Sequence, residues 1–187
     1  MRVVSTFSAP SSVQRSVKGK LDTSEFDYLV VSYSSKLEVF ALQPEGARLQ
    51  CSLEIWGVIS SLAVVHHTVN NSSLFPIGLS LTLPQDAPDT LLVTTETPDP
   101  LTILLEYVPA MEGTEPCLRE YDHMSLRSSH SRSMEFFEGA VVHPGGDVAI
   151  VATYIGKLKA LVMKGTQRKR IKAEFDCMLV EFLIILA

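Results

Sequence analysis

The sequence predicts an all-β protein that forms part of a β-propeller, with about three blades of four-stranded antiparallel sheet. Short apolar runs separated by turn residues dominate the 187-residue chain. A similar pair of runs begins at residues 29, 91 and 149, which gives a period of about 60 residues. No long stretch has the apolar period of a helix. A repeated multi-strand unit of this kind is typical of propeller blades.

The first blade-like unit is predicted near residues 22–65. Residues 27–32 and 36–42 are predicted to form a hairpin, because two apolar runs flank a short polar turn. Residues 48–55 alternate between apolar and polar side chains, which is the period of a half-buried antiparallel strand. A Trp-Gly pair breaks the alternation, and residues 58–65 are predicted as a fourth strand.

The same strand pair recurs in units predicted near residues 90–125 and 136–187. The first strands of the three pairs begin with Leu29-Val30-Val31, Leu91-Leu92-Val93 and Ala149-Ile150-Val151, and the second strands contain residues 37–40, 101–104 and 158–161. Segments 66–90 and 109–134 are predicted as loop insertions, because they are rich in proline, asparagine and serine.

The number of units is too small for a closed ring, because propellers have typically 4–8 blades. Residues 1–187 are therefore predicted to be an incomplete N-terminal β-propeller domain. The last apolar run, 175–187, has no partner strand in the sequence, and an unpaired apolar edge invites aggregation. We expect the chain to be the first part of a longer protein or the product of a truncated gene. This run also carries Asp176 and Glu181 and is shorter than the roughly 20 residues of a membrane-spanning helix, so no anchor is expected.

The composition excludes several classes of protein. An apolar fraction of 46% excludes a mostly disordered chain, and a net charge of −5 excludes binding to nucleic acid through overall charge. The cysteines Cys51, Cys117 and Cys177 are odd in number and far apart, which argues against a disulfide framework and favours a reducing compartment. The first twenty residues lack the apolar run of a signal peptide.

Signatures of catalysis and metal binding are missing from the sequence. There is no Gly-x-Ser-x-Gly motif, and the spacing of His66, His67 and Cys117 matches no zinc site. Gly145 and Gly146 precede a predicted strand, whereas a phosphate-binding loop precedes a helix, so a hairpin turn is predicted here. We therefore expect no enzymatic activity, no cofactor and no metal.

A basic stretch near the end of the chain has two interpretations. It contains Lys157, Lys159, Lys164, Arg168, Lys169, Arg170 and Lys172, with no acidic residue among them. The last five of these are a candidate patch for contacting phosphate or for nuclear localisation. The alternative is a solvated hairpin tip over residues 164–170, which is favoured because aromatic residues for base stacking are missing.

Three motifs of the first unit carry a resemblance to a known family. They are Leu37-Glu38-Val39-Phe40, Pro44-Glu45-Gly46-Ala47-Arg48-Leu49 and Glu54-Ile55-Trp56-Gly57. The chain resembles the first propeller of the family that comprises the large subunit of the UV-damaged-DNA-binding complex, the splicing factor 3b propeller subunit and the A subunit of the cleavage-and-polyadenylation specificity factor. It is most similar to fungal forms of the damaged-DNA-binding subunit. The resemblance covers most of residues 1–163 and weakens across 66–90 and after Lys172.

The resemblance implies a non-enzymatic, WD40-like scaffold, similar to the N-terminal propeller of a DNA-repair adaptor subunit in a cullin-type ubiquitin ligase. The alternative is a subunit of a pre-mRNA splicing or 3′-end cleavage and polyadenylation complex that associates with RNA, and a propeller hydrolase is a remote third. Implied partners are other propeller or helical proteins of a multisubunit nuclear complex. Nucleic acid contact would be indirect, and neither a membrane nor a small-molecule substrate is implied. The expected location is the nucleus, with the cytoplasm as a second location.

Overall fold

The computed structural model describes residues 13–67, 87–96, 101–125, 140–154, 157–165 and 169–178. Within these ranges the chain forms twelve strands and no helix, and so no helix that could span a membrane. The strands are β1 (Arg15–Gly19), β2 (Asp27–Tyr33), β3 (Lys36–Gln43), β4 (Gly46–Glu54), β5 (Ile59–His67), β6 (Ala87–Thr95), β7 (Leu101–Val108), β8 (Cys117–Ser125), β9 (Ala140–Val142), β10 (Val148–Tyr154), β11 (Lys157–Lys164) and β12 (Arg170–Met178).

The strands form three four-stranded antiparallel sheets, each of which follows the order of the chain. The first sheet is β1-β2-β3-β4, the second is β5-β6-β7-β8, and the third is β9-β10-β11-β12. The inner strand β5 packs between β1 and β9, and the outer strand β8 packs between β4 and β12. The three sheets of the described chain lie side by side and do not close into a ring. The prediction of an all-β partial propeller is confirmed.

Two strands lie in places that the sequence pattern did not indicate. Residues 58–65 were expected to complete the first unit, but β5 pairs with β6 and begins the second sheet. The fourth strand of the first sheet is β1, which pairs with β2 and was not predicted because its sequence RSVKG has little apolar character. The extent of the predicted domain, residues 1–187, reaches beyond the described ranges and stays a prediction.

Part of the predicted insertion 109–134 is a regular strand. Its residues 117–125 form β8, which pairs with β7 along its whole length. Only Leu118 of this strand is buried, because β8 is the outer strand of its sheet. An outer strand with so few buried residues shows little apolar alternation, and for this reason its sequence resembles a loop.

Most of the hydrophobic core lies in two layers, one on each face of the second sheet, and a smaller cluster of Val31, Tyr33 and Phe40 lies apart from them in the first sheet. The layer against the first sheet includes Val30, Val39, Leu91, Val93 and Leu105. The layer against the third sheet includes Leu92, Leu104, Val151, Leu161 and Met163. The central strands of the second sheet therefore bury consecutive side chains, and each fully buried Leu or Val contributes about 1.5–3 kcal/mol. This explains why three apolar residues, Leu91, Leu92 and Val93, follow one another at the centre of β6.

The turn between β9 and β10 joins the third sheet to the second. Within this turn, the amide of Gly146 donates a hydrogen bond to the carbonyl oxygen of His143 at 2.6 Å, as predicted for a hairpin. Gly146 has a φ of 68°, and a Cβ atom at this position would overlap the carbonyl oxygen of His66, at the end of β5. Only glycine satisfies both the backbone angle and the close approach.

We expect Gly146→Ala to lower the free energy of unfolding by about 2–4 kcal/mol. The variant has two costs: alanine is strained in the left-handed backbone conformation, and its Cβ atom overlaps the carbonyl oxygen of His66. Gly113→Ala is the matched control, since Gly113 has a φ of 80° but a Cβ atom added there would have no neighbouring atom within 4 Å. Gly113→Ala should lower the free energy of unfolding by about 1–2 kcal/mol, because of the backbone strain alone. Urea unfolding of the two variants measures the difference, and equal losses would contradict the packing of this turn on the second sheet.

Candidate protein-interaction surface

The turns between strands emerge at two ends of the sheets, because each sheet is an antiparallel meander. We call the end that carries the β1–β2 and β9–β10 connections the cleft end. The opposite end carries the β2–β3 turn and the β4–β5 connection, and we call it the corner end. Binding residues of a rigid β-scaffold are commonly placed on such connections.

A cleft of about 440 Å³ lies at the cleft end, between the first and second sheets. Its lining includes Lys18, Lys20, Asp22, His66 and Asp89. The walls come from the end of β1, the end of β5 and the start of β6. Two neighbouring blades therefore build most of the cleft, and Pro144 of the β9–β10 turn also lines it.

Asp89 holds the two blades together at this cleft. One carboxylate oxygen lies 2.9 Å from Nδ1 of His66, and the other accepts a hydrogen bond from the Lys20 amide at 2.8 Å. The Asp89 amide in turn donates to the Lys20 carbonyl oxygen at 2.6 Å. Because Asp89 is nearly buried, these bonds replace the water that its carboxylate gave up on folding.

The other two carboxylates of the cleft also have partners within the protein. Asp22 accepts hydrogen bonds from the Tyr28 hydroxyl at 2.5 Å and from the Ser24 amide at 2.8 Å. Asp27 forms an ion pair with Lys18 at 2.7 Å, which lowers the pKa of Asp27. The polar groups of the cleft thus fix the conformation of the β1–β2 connection.

A second polar cluster lies at the junction of the second and third sheets. His67 is buried, and its Nε2 lies 3.0 Å from the Thr90 hydroxyl. The Tyr121 hydroxyl lies 3.2 Å from the same Thr90 oxygen and 3.0 Å from the Lys169 carbonyl oxygen. Burial lowers the pKa of His67, and the nearby charge of Lys169 lowers it further. His67 is therefore a neutral core residue of this junction.

The structure separates the members of the predicted basic patch. The side chains of Lys164, Arg170 and Lys172 are exposed on β11 and β12, whose antiparallel pairing forms the expected hairpin. Lys169 is only 4% exposed, and Arg168 lies outside the described residues. Contact with phosphate stays a prediction, and the exposed candidates for it are these three side chains.

Lys169 has a structural partner in the β9–β10 turn. Its ammonium group lies 3.0 Å from a carboxylate oxygen of Asp147 and donates a hydrogen bond to the Gly145 carbonyl. Sequence reasoning could not detect this role, because the acceptors are more than twenty residues away in the chain. The charge of Lys169 is used to hold two connections of the third sheet together.

The cysteines and histidines form no metal site within the part of the chain that the structure describes, where no three potential ligands of the His, Cys, Asp or Glu type gather. Cys51 packs against the core between the first two sheets. Burial raises the pKa of its thiol to about 11, so Cys51 is a protonated apolar side chain at neutral pH.

The corner end carries a large exposed aromatic side chain. Trp56 is 83% exposed, the highest exposure among the large apolar residues described. It lies between β4 and β5, in a connection whose Gly57 has a φ of 119°. The sequence did contain a signal for this exposure, because Trp56 falls out of phase with the apolar face of the preceding strand.

The sequence matches a known protein family over most of its length. The family model described as the RSE1/DDB1/CPSF1 first beta-propeller matches residues 12–181. The chain belongs to this family. No curated protein sequence matches it.

Membership of the RSE1/DDB1/CPSF1 family confirms the resemblance that the motifs indicated. The matching domain is a protein-interaction propeller of multisubunit complexes. The match extends across all three sheets, from before β1 to beyond β12. A scaffold role therefore follows from the family and is consistent with the firmly held turns at both ends of the sheets.

We predict that His67 makes the folded protein less stable in mild acid. Its pKa is below the ordinary 6.5 in the folded state, so the unfolded chain binds the proton first as the pH falls. Stability is thus lost as the pH falls below about 6.5. His67→Gln, which removes this titration, should lose less stability between about pH 7.5 and 5.5. Urea unfolding across this range checks it, and parallel curves for the two proteins would contradict the neutral burial of His67.

Proposed function

We propose that this chain is a non-enzymatic scaffold that serves as the N-terminal propeller of a DNA-repair adaptor subunit in a cullin-type ubiquitin ligase. The observation that carries the proposal is the family match over residues 12–181. Within the family, the motifs at residues 53–57 (LEIWG) and 155–159 (IGKLK) favour the damaged-DNA-binding branch. Partners of this chain would be propeller or helical proteins of a nuclear complex. The chain itself would lie in the nucleus, with the cytoplasm as a second location.

The physical basis of a scaffold role is the rigidity of its connections. At the cleft end, Asp89 links two blades, and Lys169 links two connections of the third. At the corner end, backbone hydrogen bonds fix the β4–β5 connection against the β2–β3 turn. A partner that binds such a surface loses little free energy to the ordering of loops. Nucleic acid would then be reached through the bound partners.

The direct test is complex formation between the full chain and a purified propeller-type substrate receptor. We expect the two proteins to elute together from gel filtration at about 10 µM, in a fixed ratio. The receptor mixed with bovine serum albumin is the control. Separate elution of chain and receptor at this concentration would contradict the adaptor proposal.

The exposed side chains of Lys164, Arg170 and Lys172 favour a second candidate, an RNA-associated subunit of a splicing or polyadenylation complex. This candidate predicts that the chain binds polyuridine, with an affinity that falls steeply with salt. Replacing the three residues by alanine should then reduce the salt slope by about 2, roughly 0.7 for each phosphate contact with a single strand. The adaptor proposal predicts no saturable binding of polyuridine to either protein near 150 mM salt.

A further inference from the structure

Two cysteines lie on the outer strands of neighbouring blades. Cys51 is on β4, the outer strand of the first sheet, and Cys117 begins β8, the outer strand of the second. These two strands pack against each other, and both cysteines are free thiols. The two residues are far apart in the sequence, so the packing of the blades is what brings them near each other.

The surroundings of Cys51 place its sulfur beside Cys117. Cys51 packs against the core cluster that contains Tyr107 and Leu118 of the second sheet. The amide of Leu118, the residue that follows Cys117, donates a hydrogen bond to the Cys51 sulfur. After burial, the strongest influence on the pKa of the Cys51 thiol is the charge of Cys117, which raises it further. Contacts of the core and of the backbone thus agree that the two side chains are neighbours.

The two thiols differ in their access to solvent. Cys117 is exposed, so a small oxidant in solution reaches its sulfur directly. Cys51 is half-buried, and burial raises the pKa of its thiol to about 11, which protects it from direct oxidation at neutral pH. An accessible cysteine beside a sheltered one is the arrangement in which the second thiol captures the oxidised form of the first.

We propose that Cys51 and Cys117 form a reversible disulfide, which links the outer strands of the first two blades when the chain meets hydrogen peroxide. The Cys117 sulfur attacks the peroxide, the O–O bond breaks, and one water leaves as the sulfur becomes a sulfenic acid. The Cys51 thiol then attacks this sulfur, the S–S bond forms, the S–O bond breaks, and a second water leaves. Two thiols and one peroxide thus give one disulfide and two waters, and excess dithiol reverses the change. Such a link is independent of whether the chain serves as an adaptor.

The test maps the disulfide in the folded full chain after treatment with hydrogen peroxide. Free thiols are blocked, and the chain is cleaved after glutamate, which puts Cys51 in peptide 46–54 and Cys117 in peptide 113–120. We expect these two peptides to be joined in the monomer and to separate on reduction with dithiothreitol. The third cysteine, Cys177, lies in peptide 175–181 and serves as the internal competitor.

The unfolded chain provides the reference for selectivity. In concentrated urea, Cys117 should pair with Cys177 about as often as with Cys51, because the two loops have similar lengths. In the folded chain, the link between Cys51 and Cys117 should exceed the link between Cys117 and Cys177 by at least about tenfold, because packing raises the effective concentration of the two thiols.

Variants separate the two steps of the reaction. Cys51→Ala removes the capturing thiol, so dimedone should trap the Cys117 sulfenic acid at least about fivefold more than in the unaltered chain. Cys177→Ser is the matched control and should leave the yield of joined peptides unchanged. Oxidation of the unaltered chain should raise its urea midpoint, since the link restricts the unfolded state, and reduction should restore the original midpoint.

Four results would overturn the proposal. They are equal yields of the two links in the folded chain, disulfide-linked dimers as the main product, oxidation of Cys117 to a sulfinic acid while Cys51 stays free, and a urea midpoint that falls on oxidation. The first three would show that the two sulfur atoms are out of reach of each other in the folded protein. The last would show that the link distorts the blades instead of joining them as they pack.

Discussion

The burial of the second sheet on both of its faces is the constraint on which the rest of the structure depends. Leu91 and Val93 face the first sheet, while Leu92 faces the third. Neither outer sheet could keep its position without this apolar layer, because antiparallel sheets need a covered face to bury their side chains. The positions of the connections at both ends, and so the geometry of any interaction surface, follow from this packing.

Polar contacts then set the register between neighbouring blades. Asp89 fixes the end of the first sheet to the second, and Gly146 allows the β9–β10 turn to approach the end of β5. These contacts all lie at the cleft end. At the corner end, backbone hydrogen bonds hold the β4–β5 connection against the β2–β3 turn, and the side chain of Trp56 is exposed. The two ends thus differ in kind: one end joins the blades, and the other presents an exposed aromatic group.

Much of the fold could be predicted from local patterns, because strand periodicity and turn residues act over a few positions. Alternation predicted the strand near residues 48–55, and the glycine turn predicted the β9–β10 hairpin. Local patterns could not predict β8, which buries only Leu118, or the burial of Lys169 against Asp147, which depends on a distant turn. The exposure of Trp56 could be predicted in part, because its position is out of phase with the apolar face of the preceding strand.

Hydrogen exchange of the full chain tests the central claim most directly. If the second sheet is enclosed by both neighbours, the amides of Leu91, Leu92 and Val93 should exchange only when the whole protein unfolds. Their opening free energy should then equal the free energy of unfolding measured with urea. Exchange of these amides at a much lower free energy, as expected if the second sheet could separate from one neighbour, would contradict the account.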